Sequence, residues 1–598
     1  MKLKGMLFGL ALSVCVPLDA QAAANCKLIK LAEASVTMTG LSPLITVKIN
    51  GADAKMTADS GAFFSLLTPQ AAARLGLHVG APPPWIDSVE GLGGREGIGV
   101  ATAKQFTFAG IEFHNAAFII AAPQLAGQTD GLIGNNLLSY ADVEFDLPNG
   151  EIRLFKPQGC PSNASLAYWA TTGAYSTVAI EPITPPQFKI VANVKVNGRE
   201  MRALLDSGAG LSFITRRGAT EAGVPVNGAA VQAGGVGGGI GRHEFDTWIA
   251  PFASLQIGDE EIKNSHPMVG AADLEGAELL IGADFLLSHR VYVANSEHRI
   301  FFTYTGGPVF SLDHAPIAQQ GALDQLQAAS AVNVATSAPI PGAPTDQPTD
   351  ADGFSRRGAA FAARHDWDHA IADFTRASAL APTDPKPLVE RARARMADHQ
   401  PGPALSDLDQ ALKLKPDHAE ALLLRGDLRL GSDEDANADL EAAARADPGL
   451  SLDVAYIYTR ADRFEPAVAV LDRWIAANPK DIQLPKALNN RCWVRALWGR
   501  DLDQGLADCN VALRLTPHIS AILDSRGLVN LRLGKLADSI ADYDESLRLQ
   551  SRNAWSLYGR GLARRRKGDT AGGDADVAAA AAIDPQLSDK AKKLGLTP

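Results

Sequence analysis

Two aspartates stand in the same four-residue setting 147 positions apart, Asp59-Ser60-Gly61-Ala62 and Asp206-Ser207-Gly208-Ala209. An ionised carboxyl is a general base and a protonated one a general acid, so a pair of them can activate water with no metal and no covalent intermediate. Serine and glycine directly after each aspartate suit a sharp bend, because glycine permits close backbone approach and unusual dihedrals. Asp, Ser and Gly also favour ordinary turns, which is the plain alternative. No other catalytic set competes. The twelve histidines lack His-Glu-x-x-His spacing, there is no Gly-x-Ser-x-Gly elbow or Walker loop, and Cys492 and Cys509 have no local partner histidine.

The elements around the aspartates were copied with them. Val47-Lys48-Ile49-Asn50-Gly51 recurs as Val194-Lys195-Val196-Asn197-Gly198, and the register persists through Ser65 and Ser212, Thr68 and Thr215, and Gly76 and Gly223. An Asn-Gly pair between alternating apolar runs predicts a two-residue hairpin whose second strand delivers the chain to the aspartate. Leu132-Ile133-Gly134 and Leu280-Ile281-Gly282 close the two copies, their glycines 75 and 76 residues after the aspartates. Between these landmarks lie Gly91-Leu92-Gly93-Gly94 and Gly235-Val236-Gly237-Gly238, expected to be hairpin tips folding over a cleft, with plain surface loops as the alternative. Neither cluster has an aromatic residue at its tip.

Leu204-Leu205-Asp206-Ser207-Gly208-Ala209, together with Leu280-Ile281-Gly282-Ala283-Asp284-Phe285-Leu286, resembles the bend and the later apolar-apolar-Gly segment of retropepsin-like aspartic peptidases. The first copy is similar, with Ala58 before Asp59, and the resemblance covers about residues 30–305. It implies one catalytic aspartate per half, Asp59 and Asp206, meeting across an approximate two-fold axis. Carboxyls so placed share one proton and titrate as a unit. It also implies that Ser60 and Ser207 bond across the axis to the opposite backbone, that Gly61 and Gly208 leave room for this approach, and that no cofactor is needed. The halves could close on each other in one chain or each pair with its twin in another, the internal arrangement being the simpler.

Residues 1–22 read as an export signal, with Lys2 and Lys4 before an apolar run from Met6 to Pro17 and Ala20-Gln21-Ala22 at the cleavage site. That run is too short to span a bilayer comfortably, so no stable membrane span is expected after signal removal. Of the cysteines, Cys26, Cys160, Cys492 and Cys509 then remain, and their positions suggest the pairs Cys26–Cys160 and Cys492–Cys509, with buried thiols as the alternative. A net charge of −11 without a concentrated basic face argues against a nucleic-acid partner. Hydrophobic residues at 46% and charged residues at 21% indicate ordinary folded protein.

An Ala/Pro-rich linker is read at 306–352, with a short helix between Gln319 and Ala329. Beyond it Pro382 and Pro416 are 34 apart, as are Pro517, Ser551 and Pro585, and Gly358, Phe361, Ala370, Phe374 and Ala377 resemble the packing residues of tetratricopeptide repeats. The expected architecture is multidomain: an all-β retropepsin-like acid-protease double domain (27–160 and 176–305), then an all-α tetratricopeptide-repeat solenoid (353–598) of about seven helix pairs with a capping helix after Gln586. The function expected is that of a periplasmic or secreted aspartic endopeptidase acting on protein or peptide substrates, whose arm binds a protein partner. The competing expectation is a non-catalytic envelope scaffold with a protease-like domain.

Overall fold

The computed structural model describes residues 26–597, apart from 84–85, 87, 123–124, 126–128, 162–163, 171–174, 183–188, 229, 241–244, 275, 311–347, 431–434 and 482. The signal read at 1–22 and the helix read between Gln319 and Ala329 lie outside the described residues. Among the described residues no helix is long and apolar enough to cross a membrane.

In each half a hairpin leads to an aspartate. Strand Ser42–Ile49 pairs with Ala52–Ala58, and Val191–Val196 pairs with Arg199–Leu205. The turns are Asn50-Gly51 (φ 50° and 85°) and Asn197-Gly198 (φ 49° and 78°). Two successive left-handed residues match the twist of paired strands, which is why Asn-Gly occupies both turns. Each asparagine also fixes the next hairpin: Gln105 N donates to Asn50 Oδ1 and Ser254 N to Asn197 Oδ1, both at 3.1 Å.

After each aspartate the chain crosses a short strand, Leu66–Leu67 or Phe213–Thr215, and enters a short helix, Pro69–Arg74 or Arg216–Glu221. Thr68 and Thr215 cap those helices through their side-chain oxygens. The later apolar segments, Gly131–Ile133 and Leu279–Ile281, run parallel to the aspartate-bearing strands, placing Ile133 beside Ala58 and Ile281 beside Leu205.

The two halves are joined by six adjacent strands: Ser176–Ala179, Arg299–Tyr304, His289–Ala294, Asp142–Asp146, Glu151–Gln158 and Lys27–Thr39. At the seam Val143 faces Val293 and Phe145 faces Val291. A buried ion cluster crosses it. Arg153 Nη1 donates to Glu144 and Asp146, both at 3.1 Å, while Arg290 from the other half and the Tyr168 hydroxyl also donate to Glu144. Buried carboxylates are tolerable only when paired in this way, so separating the halves would expose a large penalty. In this structure both halves of the seam belong to one chain. Cys26 and Cys160 form a disulfide with Cα atoms 4.2 Å apart, beside the pair Lys27 and Gln158, and so clasp the ends of the first half.

Seven helix pairs run from Ala351 to Ile583 among the described residues, followed by helix Leu587–Lys593. Arg357, Arg391, Arg425, Arg491, Arg526 and Arg560 lie on first helices. In order they grip both carboxylate oxygens of Asp373, Asp407, Asp439, Asp508, Asp542 and Asp576 on the second helices. Such bidentate, largely enclosed pairs fix geometry better than exposed ones do. A disulfide joins Cys492 on the first helix of the fifth pair to Cys509 on its second.

The arm does not hang free of the β half. Ala360 and Ala363 of its first helix, Ala351–Ala363, belong to the same apolar core as Phe285, Leu287 and Phe310. Arg364, which caps that helix, is buried and donates from Nη1 to Leu287 O (2.9 Å) and Gly306 O (2.7 Å).

Candidate active site

Asp59 and Asp206 end their strands facing each other, close enough for their carboxyls to hydrogen-bond. The backbone places them equivalently. Asp59 N donates to Ile133 O and Asp206 N to Ile281 O, each at 2.9 Å. Gly61 N and Ala62 N donate to Asp59 Oδ1 at 2.9 and 2.8 Å, and Gly208 N and Ala209 N to Asp206 Oδ1 at 2.9 and 3.1 Å. One oxygen of each carboxyl is thereby fixed by backbone donors.

Beneath the pair the serines interlock. Ser60 N donates to Ser207 Oγ and Ser207 N to Ser60 Oγ, both at 3.0 Å, while Ser60 Oγ donates to Leu205 O (3.0 Å) and Ser207 Oγ to Ala58 O (2.8 Å). Both side chains are fully buried. Four bonds thus span the axis, and none can shift without moving an aspartate.

Gly61 and Gly208 pack against the opposite carboxyl. A Cβ on Gly61 would overlap the Asp206 carboxyl, and one on Gly208 the Asp59 carboxyl. Both aspartates are held above the ordinary carboxyl range, chiefly by burial; Asp59 stands well above it because the neighbouring Asp206 adds to the rise, whereas at Asp206 the hydrogen bond with Asp59 opposes the effect of burial. Both are half-buried, above the fully buried Ser60 and Ser207. The environment therefore favours one shared proton, and the titration belongs to the pair.

The glycine-rich segments meet over this site. Gly91 and Gly94 belong to the hairpin Ser88–Gly91 and Gly94–Gly97, with Leu92 and Gly93 at its tip. Gly235, Val236 and Gly237 lie in strand Gln232–Gly237, paired with Phe245–Ile249, and Gly238 follows. The contact itself is made beyond that cluster: Gly93 N donates to Ile240 O at 2.8 Å, and a Cβ on Gly91 or Gly239 would strike Ile240 or Leu92. Leu92 packs with Leu204, Phe213 and Leu280 of the second half, and Ile240 with Leu66, Ala122 and Leu132 of the first. Each tip thus covers an apolar floor belonging to the opposite half.

Asp284 carries a role that sequence reading did not assign. Its carboxyl accepts from Ser212 N (3.0 Å) and Ser212 Oγ (2.6 Å), and Ser212 Oγ in turn accepts from Gly282 N (2.8 Å). In the first half Asn136 takes that place, its Oδ1 accepting from Ser65 N (2.8 Å) and Ser65 Oγ (3.0 Å). The duplicated serines are a signal that could have pointed to both partners. Burial pushes Asp284 up to about 6 from 3.8. A raised carboxyl favours folding most below the unfolded value and loses that advantage as pH rises through the folded one. Asp284→Asn, which copies the first half, should therefore be near neutral in stability at pH 3.5 and gain about 2 kcal/mol at pH 7.5 in denaturant titrations. Equal differences at both pH values would refute a protonation origin.

Residues 45–137 match the family model described as aspartyl protease, and residues 192–288 match gag-polyprotein putative aspartyl protease. The N-terminal half carries two aspartyl-protease family domains. The helical half stacks seven helix pairs from Ala351 to Ile583 among the described residues. Among solved structures the chain is similar to a tetratricopeptide repeat protein from Parabacteroides merdae, at 17% identity over 41% of this chain and 98% of that one, with a TM-score of 0.34. It is also similar to YrrB, described as a TPR protein with an unusual peptide-binding site, at 19% identity over 31% and 97% of the chains and a TM-score of 0.26. PilW, described as a type IV pilus biogenesis factor, is 17% identical over 35% and 97%, with a TM-score of 0.29. No curated protein is significantly similar in sequence.

Proposed function

We propose that the chain is a single-chain aspartic endopeptidase, exported to the periplasm or exterior, whose repeat arm binds proteins. The observation that carries the reading is the Asp59–Asp206 pair, held over the reciprocal Ser60–Ser207 bonds within one chain. A water between the carboxyls loses a proton to the ionised one while its oxygen attacks the scissile carbonyl. The protonated carboxyl donates to the carbonyl oxygen. Collapse of the tetrahedral adduct breaks the C–N bond, and a proton passes to the leaving amine. Tips carrying Leu92 and Ile240 exclude bulk water and offer backbone groups to an extended peptide. The apolar floors beneath them favour apolar side chains beside the cut.

The test is to incubate the chain from Ala23 with an unfolded protein across about pH 4 to pH 7 and locate cuts by mass spectrometry. A bell-shaped rate profile is expected, since the mechanism needs one carboxyl protonated and one ionised. Absence of cleavage at every pH would favour the scaffold reading instead.

A further inference from the structure

The turns beneath the two catalytic loops make the same backbone bonds. In the first half Asn135 N donates to Ala62 O at 2.8 Å and Asn136 N to Phe63 O at 3.1 Å. The second half repeats both at the same lengths, from Ala283 N to Ala209 O and from Asp284 N to Gly210 O. Asn136 and Asp284 each accept from the serine of their loop, Ser65 or Ser212. The departure is Asn135, fully buried at the start of helix Asn135–Leu138, whose Nδ2 donates to Ser60 O at 3.0 Å. Its counterpart is Ala283, which has no side-chain donor to offer the Ser207 carbonyl.

Ser60 O belongs to the peptide unit whose other polar atom is Gly61 N, and Gly61 N donates to Asp59 Oδ1 at 2.9 Å. The unit is planar and resonance-coupled, so a hydrogen bond accepted at its oxygen draws electron density from the nitrogen and makes the N–H a stronger donor. The chain of bonds from Asn135 Nδ2 through Ser60 O and Gly61 N therefore ends on a carboxyl oxygen of the pair. A donor aimed at the charged form favours that form. In a site where burial opposes charge, Asn135 offsets part of that penalty, and from one side only. It also fixes the tilt of the Ser60–Gly61 peptide, where Gly61 lies against the Asp206 carboxyl.

We propose that Asn135 is a positioning residue for the dyad: its side-chain amide holds and polarises the Ser60–Gly61 peptide, so that Gly61 N steadies the negative charge of the singly ionised pair. This role rests on the peptidase reading and adds to it a chemical asymmetry, since the backbone frame is two-fold and the polarising donor is not. Asp59 and Asp206 are the titrating groups at the end of this chain of bonds, while Asp284 titrates in the other half, bound to Ser212.

Asn135→Ala reproduces the side chain of the second half. Its kcat should fall about tenfold with KM nearly unchanged, and both limbs of the rate profile should move to higher pH by about half a unit, because the singly and the doubly ionised pair each lose support. A packing defect would instead lower the rate at every pH alike. Asn135→Leu fills the space without a donor, so it should shift the limbs as alanine does. At about pH 4 Asn135→Asp, whose protonated carboxyl can donate to Ser60 O, should stay within about threefold of the parent. The same displacement should appear in the carboxyl-carbon NMR titration of the pair, whose signals are those lost in Asp59→Asn and Asp206→Asn, and this readout needs no cleavage. A parent chain that cleaves nothing would sink the peptidase reading and leave the titration to decide the role of Asn135. Unmoved limbs and an unmoved titration in Asn135→Ala and Asn135→Leu would overturn the proposal, as would an acid-end rate of Asn135→Asp no better than that of Asn135→Leu.

Discussion

Replacing either Asp59 or Asp206 by asparagine should lower kcat/KM on an unfolded protein by at least about 10,000-fold, or about 5.5 kcal/mol of transition-state stabilisation. The two carboxyls do one job between them, and an amide can neither accept the water's proton nor share one. The double variant should thus be scarcely worse than either single variant. Mixing the single variants should restore nothing, because each chain closes its own pair through the seam between Asp142–Asp146 and His289–Ala294. Rescue on mixing would mean that halves from different chains pair. The unchanged enzyme should lose activity on the acid side as both carboxyls become protonated and on the alkaline side as both ionise. Because burial and mutual proximity hold Asp59 well above the usual range, the alkaline limb should fall far from that of an ordinary aspartate. A rate that rises with pH past the ordinary carboxyl range and never falls would contradict the shared proton.

Much of this site was legible because the motif is local and occurs twice. Asp-Ser-Gly-Ala and Asn-Gly specify a bend and a turn from a few adjacent residues, and each duplicated Ser65/Ser212 or Thr68/Thr215 has the same hydrogen-bonding work in both halves. The tip-to-tip contact was not legible, since Ile240 lies past the glycine cluster and meets Leu92 only through the closure of one half on the other. Asp284 and Asn136 were missed because a polar residue after Gly-x reads as a helix start until its serine partner, some seventy positions earlier, is placed beside it. The Arg–Asp grips of the arm were visible in principle as charges at the repeat period. Composition between 306 and 352 marks a boundary but cannot reveal that Phe310 and Arg364 tie the arm's first helix into the β half, because one buried side chain leaves no periodic trace.

Gly208→Ala should be the most damaging change that leaves every titrating and hydrogen-bonding group in place. Its methyl would overlap the Asp59 carboxyl, and because the serine bonds beneath allow neither half to retreat, the carboxyl itself must rotate or shift. Overpacking of this kind costs about 1–3 kcal/mol of stability. The catalytic loss should be larger, about 100-fold or more in kcat, because a displacement near 1 Å at reacting groups carries that penalty. Gly61→Ala should act alike on Asp206, whereas Gly238→Ala, with open space around it, should be close to neutral. The decisive readout is the pH profile. Carboxyls pushed out of alignment share a proton less well, so the two limbs should draw together as kcat falls, whereas a purely structural defect would lower the rate at every pH alike. A Gly208→Ala enzyme with an unchanged profile and normal kcat would show that the two carboxyls do not need this close approach.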